Sequence, residues 1–173
     1  RIPTLRPAPV IALTATATPL VQRDIVTQLG LNDAHLCIHG FRRDNIAIEI
    51  VEAAPSIRNE KTLELLEQPG RRPAIVYCAS RKNTEALAER LKGNFPTARY
   101  HAGMMGDDRD LVQDGFLKGR LEVIVATIAF GMGVDKADIR TIIHTALPGS
   151  LESYYQEIGR AGRDAKPSRA VLM

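Results

Sequence analysis

Residues 159–164 read Gly159-Arg160-Ala161-Gly162-Arg163-Asp164, two arginines three positions apart among small side chains. A guanidinium is planar, permanently charged and forked, so it grips phosphate oxygens two at a time. Two of them held side by side, with little bulk around them, suit a polyphosphate that gains charge in a transition state. The plainer account is that both cations complement the dipole at the C-terminal end of a helix. The small residues on either side already strain that account.

Two further segments have the composition of ligand-binding turns. In Val125-Ala126-Thr127-Ile128-Ala129-Phe130-Gly131-Met132-Gly133-Val134-Asp135-Lys136 a strand ends at Thr127, and two glycines then free the backbone to turn sharply. Thr127 can donate to a phosphate and Asp135 can accept from a ribose. A lone Gly-x-Gly is a weak signal, because it lacks the third glycine of a dinucleotide fingerprint. In Tyr77-Cys78-Ala79-Ser80-Arg81-Lys82-Asn83 a strand runs directly into a helix start. Ser80, the free N–H groups and the cations Arg81 and Lys82 together suit a phosphate. Taken alone, the segment is equally explained by Ser80 capping its helix and the cations meeting water.

The elements that must position these groups alternate. Strand-length apolar runs fall at 10–14, 46–51, 74–78, 98–101, 123–126, 141–144 and 170–172. Between them lie helix-period stretches with start signals. Thr18 before Pro19 reads as an N-cap, with Gly30 as the stop. Ser56, Ser80, Asp107 and Ser150 read as caps of helices reaching Gln68, Lys92, Lys118 and Arg160. Strand then helix, repeated, predicts an α/β fold with a doubly wound parallel sheet and helices on both faces. In such a sheet ligands bind beyond the carboxyl ends of the strands, where all three segments fall. Residues 1–30 read as the last strand–helix unit of a preceding domain, 31–45 as a linker, and 46–173 as the main domain.

Composition sets the limits. The 173 residues are 45% hydrophobic, 25% charged and only 5% aromatic, without Trp, so the core must rest on aliphatic side chains. A net charge of +3 permits a polyanionic partner without demanding one. Cys37 and Cys78, each within an apolar run, suggest buried free thiols in a reducing compartment rather than a disulfide or zinc site. No apolar run reaches the roughly 18 residues of a membrane span. The chain opens at Arg1 without Met and stops at Met173 just after a strand-like run, which reads as a piece of a longer protein.

In this order the segments resemble the motifs of superfamily 2 helicases, and the RecQ family most of all. Leu13-Thr14-Ala15-Thr16-Ala17 is similar to motif III and Ile75-Val76-Tyr77-Cys78-Ala79-Ser80-Arg81 to motif IV. Tyr100-His101-Ala102-Gly103 resembles the family's Tyr-His-Ala-Gly element. The run Ala129-Phe130-Gly131-Met132-Gly133, with Asp135-Lys136, resembles motif V. Ser153-Tyr154-Tyr155-Gln156-Glu157 through Asp164 resembles motif VI. The linker Phe41-Arg42-Arg43-Asp44-Asn45 lacks the family's proline, and Ala165-Lys166-Pro167 replaces the glycine that commonly follows motif VI.

The resemblance implies the second of two RecA-like lobes of an ATP-driven 3′-5′ DNA strand separator, soluble and cytoplasmic or nuclear, with roles in DNA repair and recombination. It implies that Arg163, with Arg160 beside it, acts as an arginine finger. It further implies that Gln156, Asp135 and Gly133 lie near the nucleotide. Ser80, Arg81, His101 and Thr127 would face the backbone of single-stranded and duplex DNA, and Thr14 and Thr16 would relay nucleotide state. The phosphate loop and the Mg²⁺ ligands would come from the first lobe, since no Gly-x-x-x-x-Gly-Lys-Ser/Thr run occurs here. This stretch alone is therefore expected to be inactive. Any zinc would belong beyond Met173. A DEAD-box RNA helicase lobe is the nearest rival, opposed by Thr14-Ala15-Thr16 and Gln156-Glu157. A nucleotide-binding oxidoreductase lacks its glycine fingerprint. A non-catalytic nucleic-acid adaptor would have no use for paired arginines.

Overall fold

The computed structural model describes residues 9–14, 17–38, 43–131 and 134–173. The chain divides into two compact units, Arg1–Arg42 and Arg43–Met173.

Among its described residues the first unit contains one helix, α1 (Pro19–Gln28). It begins as its sequence dictates: Thr18 is extended, its hydroxyl accepts from Val21 N at 3.4 Å, and Pro19 takes the first turn, where no N–H is needed. It stops as Gly30 turns left-handed at φ 55°. The run 10–14, expected as a strand, and the apolar run 35–38 around Cys37 are irregular instead. A strand exists only through a hydrogen-bonded neighbour, and among the described residues neither run has one. Cys37 is accordingly exposed, not buried.

The second unit holds the expected sheet. Its elements are β1 (Ile46–Ile50), α2 (Arg58–Glu67), β2 (Ala74–Tyr77), α3 (Arg81–Leu91), β3 (Thr97–Tyr100), α4 (Gly106–Leu117), β4 (Val123–Ala126), β5 (Thr141–His144), α5 (Leu151–Ile158) and β6 (Ser168–Leu172). Six strands run parallel in the order β1-β6-β5-β2-β4-β3. Every residue of the central β2, β4 and β5 is buried, which is why β2 and β4 read as unbroken apolar runs and β5 has an apolar centre, Ile142-Ile143. Alternate side chains feed two cores. Val76, Val123, Ile143 and Val171 meet Leu65, Leu66, Leu87 and Leu91 of α2 and α3 on one face. Ile75, Ile124, Ile142 and Ala170 meet Phe116, Tyr154 and Ile158 of α4 and α5 on the other.

Ser80 and Ser150 cap α3 and α5, accepting from Asn83 N and Ser153 N at 3.2 and 3.1 Å. Ser56 and Asp107 do not cap. The chain turns tightly at 54–57, where Ile57 N bonds Ala54 O, and α2 starts after Ile57 with no side-chain cap. Helix α4 starts two residues early, after Met105, which leaves Asp107 and Asp108 inside its first turn, where negative charge favours the dipole. Helix α5 ends at Ile158 rather than Arg160, with Gly159 as its C-cap.

Candidate functional site

The carboxyl ends of β2, β4 and β3 lie side by side. They bring Ser80, Arg81, Thr127 and His101 to one rim. Thr127 N bonds Tyr100 O at 3.1 Å, and Cys78 N bonds Ala126 O at 2.8 Å, which locks the three strand ends together. His101 is 4% exposed, and its Nε2 lies 3.1 Å from Glu85 Oε1 on α3. Its Nδ1 is buried without a partner. Gly103 makes room beside it: a Cβ there would come within 2.9 Å of Arg81 Nη1 and 3.3 Å of His101 Nδ1. Arg81 is exposed above the start of α3, whose free N–H groups add partial positive charge. This rim can hold the phosphates of a polyanion.

A second group forms where the turn after α5 meets the loop after β4. Arg160 and Arg163 were expected on a helix end, but both lie in the turn beyond it. Arg160 Nη1 donates to Gly131 O in a very short bond. Gly131 is required there twice over: its φ is 136°, and a Cβ would overlap the Arg160 guanidinium. Arg163 Nη1 donates to Asp135 Oδ1 at 2.8 Å and to Val134 O at 3.4 Å. The small residues between the arginines serve packing rather than clearance, contrary to expectation. Ala161 is fully buried in the core, and a Cβ on Gly162 (φ 54°) would lie 2.5 Å from Asn45 Nδ2 and 2.6 Å from Ser168 Oγ.

Beneath these groups lies a buried polar cluster. His144 Nε2 meets Glu157 Oε2 at 2.5 Å, with the two residues 2% and 8% exposed. Tyr77 stacks on His144 at 5.2 Å and donates from its hydroxyl to Phe130 O at 3.1 Å. Burial pushes the Tyr77 hydroxyl up to about 12, outweighing the nearby Arg160. The turn carries a further ion pair, Arg140 to Asp164 at 2.6 Å, which holds the Asp164 carboxyl below its usual range. Sequence reading passed over His144, Glu157, Arg43 and Asn45. The one available signal was a histidine and a glutamate placed among apolar neighbours.

Of the remaining expected site residues, Gln156 is exposed on α5, and Thr14 is exposed in the first unit. Gly133 and Thr16 lie outside the described residues, as do Phe41 and Arg42 of the linker motif. The arginines fit the anionic part of ATP: Arg163 is 37% exposed, and its carboxylate partner is 86% exposed. Among the described residues no group of three potential metal ligands occurs. Among them, too, no helix is long and apolar enough to cross a membrane.

Comparison with known proteins gives one consistent answer. The sequence model of the helicase conserved C-terminal domain matches residues 58–165. The ATP-dependent DNA helicase RecQ of Bacillus subtilis is 45% identical over 95% of this chain, which covers 28% of that protein. The Pasteurella multocida RecQ is 44% identical over 95% of the chain and is covered to 26%. The mouse bifunctional 3'-5' exonuclease/ATP-dependent helicase WRN is 43% identical over 95% of the chain and is covered to 12%. The chain thus spans about a quarter of the length of the bacterial relatives. Among solved structures, the E. coli DEAD-box protein SrmB, bound to regulator of ribonuclease activity A, superposes with a TM-score of 0.66 at 23% identity. That match covers 73% of this chain and 75% of that one. At that identity the match speaks for the RecA-like fold alone.

Proposed function

Because this chain belongs to the helicase conserved C-terminal domain family, in its RecQ-like branch, we propose that it is the second motor lobe of an ATP-dependent 3′-5′ DNA helicase. The observation that carries this reading is the exchangeable tether of Arg163. An exposed ion pair contributes only about 0–1 kcal/mol. A nucleotide polyphosphate, with several charges, readily outcompetes a single exposed carboxylate. Arg160 is held on Gly131 O and keeps a second guanidinium at the same loop. Asp135, released from Arg163, then faces the ribose or the hydrated metal, with Gly133 and Gln156 on the nucleotide's flank.

The loop after β4 supplies the coupling. It starts at Thr127, in the rim with Ser80, Arg81 and His101, and ends at Asp135, in contact with Arg163. One short loop therefore touches both the surface assigned to DNA backbone and the group assigned to ATP. Contacts to phosphates alone give affinity without base preference. The first lobe of the same parent chain supplies the phosphate loop and Mg²⁺ ligands, with Thr14 and Thr16 relaying nucleotide state. On its own the 173-residue polypeptide hydrolyses no ATP.

The test is Arg163→Ala in the full-length parent. A finger acts on charge that develops in the transition state, so kcat should fall on the order of 10³-fold while ATP still binds. Arg163→Lys should restore little, because an ammonium lacks the planar fork. A folded Arg163→Ala protein with near-normal turnover would leave Arg163 as a surface cation and sink the motor reading.

A further inference from the structure

The turn that carries both arginines is held from an unexpected place. A helix end leaves its last carbonyls without intrahelical partners. Those of α5 are met by the turn itself, through Gly159 N, Arg160 N and Ala161 N, and the turn's own carbonyls are taken by the first residues of the second unit. Arg43 Nη2 donates to Gly162 O at 2.8 Å and Ala161 O at 3.4 Å, and its Nη1 donates to Gly159 O at 3.4 Å. Asn45 Nδ2 donates to Gly162 O at 2.7 Å and Lys166 O at 3.0 Å. The Asn45 carbonyl accepts from Ser168 N at 2.8 Å, immediately before β1 and β6 begin to pair at Ile46 and Ser168.

Two side chains thus close on four carbonyls that bracket Arg160 and Arg163. Gly162, directly before Arg163, is the focus: both side chains bond its oxygen, and its φ of 54° fits the close approach of Asn45. The direction in which Arg163 leaves the backbone is set by this one peptide unit. A guanidinium can serve three carbonyls because its donors are fixed in a plane. Lysine, with one mobile ammonium, cannot.

We propose that Arg43 and Asn45 are positioning residues for the arginine finger, acting on catalysis through the Gly162 peptide and not by touching the nucleotide. This rests on the reading of Arg163 given above. It makes the point where the chain passes into the second unit a determinant of ATP turnover.

The test is a double-mutant cycle in the full-length protein, with kcat, ATP affinity and thermal melting measured on each variant. Misplacing a catalytic group by about 1 Å can cost on the order of 10²-fold in rate. Arg43→Ala should therefore lower kcat by up to that factor while ATP affinity holds, and Arg43→Lys should recover only part. Asn45→Asp, which sets an acceptor against the Gly162 carbonyl, should do the same. The decisive comparison is Arg43→Ala with Arg163→Ala: once the finger is gone, losing its positioner should cost nothing further in kcat. Losses that multiply in the double variant, or a folded Arg43→Ala with normal kcat, overturn the proposal. If Arg43→Ala does not fold, Arg43→Lys and Asn45→Asp carry the same cycle. An Arg163→Ala protein with normal turnover removes the finger and its positioners together. A crippled Arg163→Ala beside an unaffected Arg43→Ala removes the positioning role alone.

Discussion

Arg163 Nη1 lies 2.8 Å from Asp135 Oδ1, joining the turn after α5 to the loop after β4. The pair is open to water, with the two side chains 37% and 86% exposed. Solvent screening leaves such a contact about 0–1 kcal/mol. Asp135→Asn should therefore shift the unfolding free energy by less than about 1 kcal/mol, read from urea melts at fixed pH. A loss of several kcal/mol would mean that the pair fastens the loop in place. Arg163 would then not be free to exchange a carboxylate for a phosphate.

The arginines and Asp135 were legible as a candidate site because they lie in compact, compositionally odd segments. Central strands were legible too, because β2, β4 and β5 are buried on both faces and are mostly aliphatic. The caps Thr18, Ser80 and Ser150 were readable since each bond spans only three residues. Ser56 failed as a cap because the tight turn at 54–57 moves the helix start past it. The runs at 10–14 and 35–38 have the residues of strands, but pairing is a property of two segments and not of one. The bonds from Arg43 and Asn45 had no local signal at all: they reach carbonyls 116–121 positions away. His144 and Glu157 meet only because β5 and α5 pack together.

Acid should weaken the fold through Glu49. This carboxylate sits in β1 between Arg71, 3.0 Å away, and Arg169. Burial would raise its pKa, but hydrogen bonds from Arg169 and Arg71 outweigh that and hold it below the ordinary value. A carboxyl depressed in the folded state binds protons less tightly than it does unfolded. Its stabilisation is complete above the ordinary carboxylate range, near pH 4.3, and is lost as pH falls through the depressed value. Asp164, depressed by its bond from Arg140, adds in the same direction. Glu49→Gln should be less stable at neutral pH and show a shallower loss below about pH 4.3. Unfolding free energies with equal acid slopes for the two proteins would rule out this origin of the acid sensitivity.

Binding to single-stranded DNA tests the rim at the ends of β2, β3 and β4. Arg81 is an exposed cation there, beside the α3 N-terminus and the buried edge of His101. Its proposed partner is a phosphate, so its contribution is electrostatic, independent of base and carried by released counterions. Arg81→Ala should weaken binding by a similar factor for mixed, pyrimidine-rich and purine-rich strands. It should also make the slope of log affinity against log salt shallower, by about 0.7 for a single lost contact on single-stranded DNA. Lys61, paired with Glu64 on α2 at 2.6 Å, provides the control: Lys61→Ala removes the same charge from a different surface. Full charge screening of both variants at high salt should erase any difference between them. If the two substitutions weaken binding equally at low salt, the effect is net charge alone and the rim is not the DNA surface. If Arg81→Ala alters base preference while leaving the salt slope intact, the contact is to bases, and a backbone-tracking motor lobe is the wrong description of this surface.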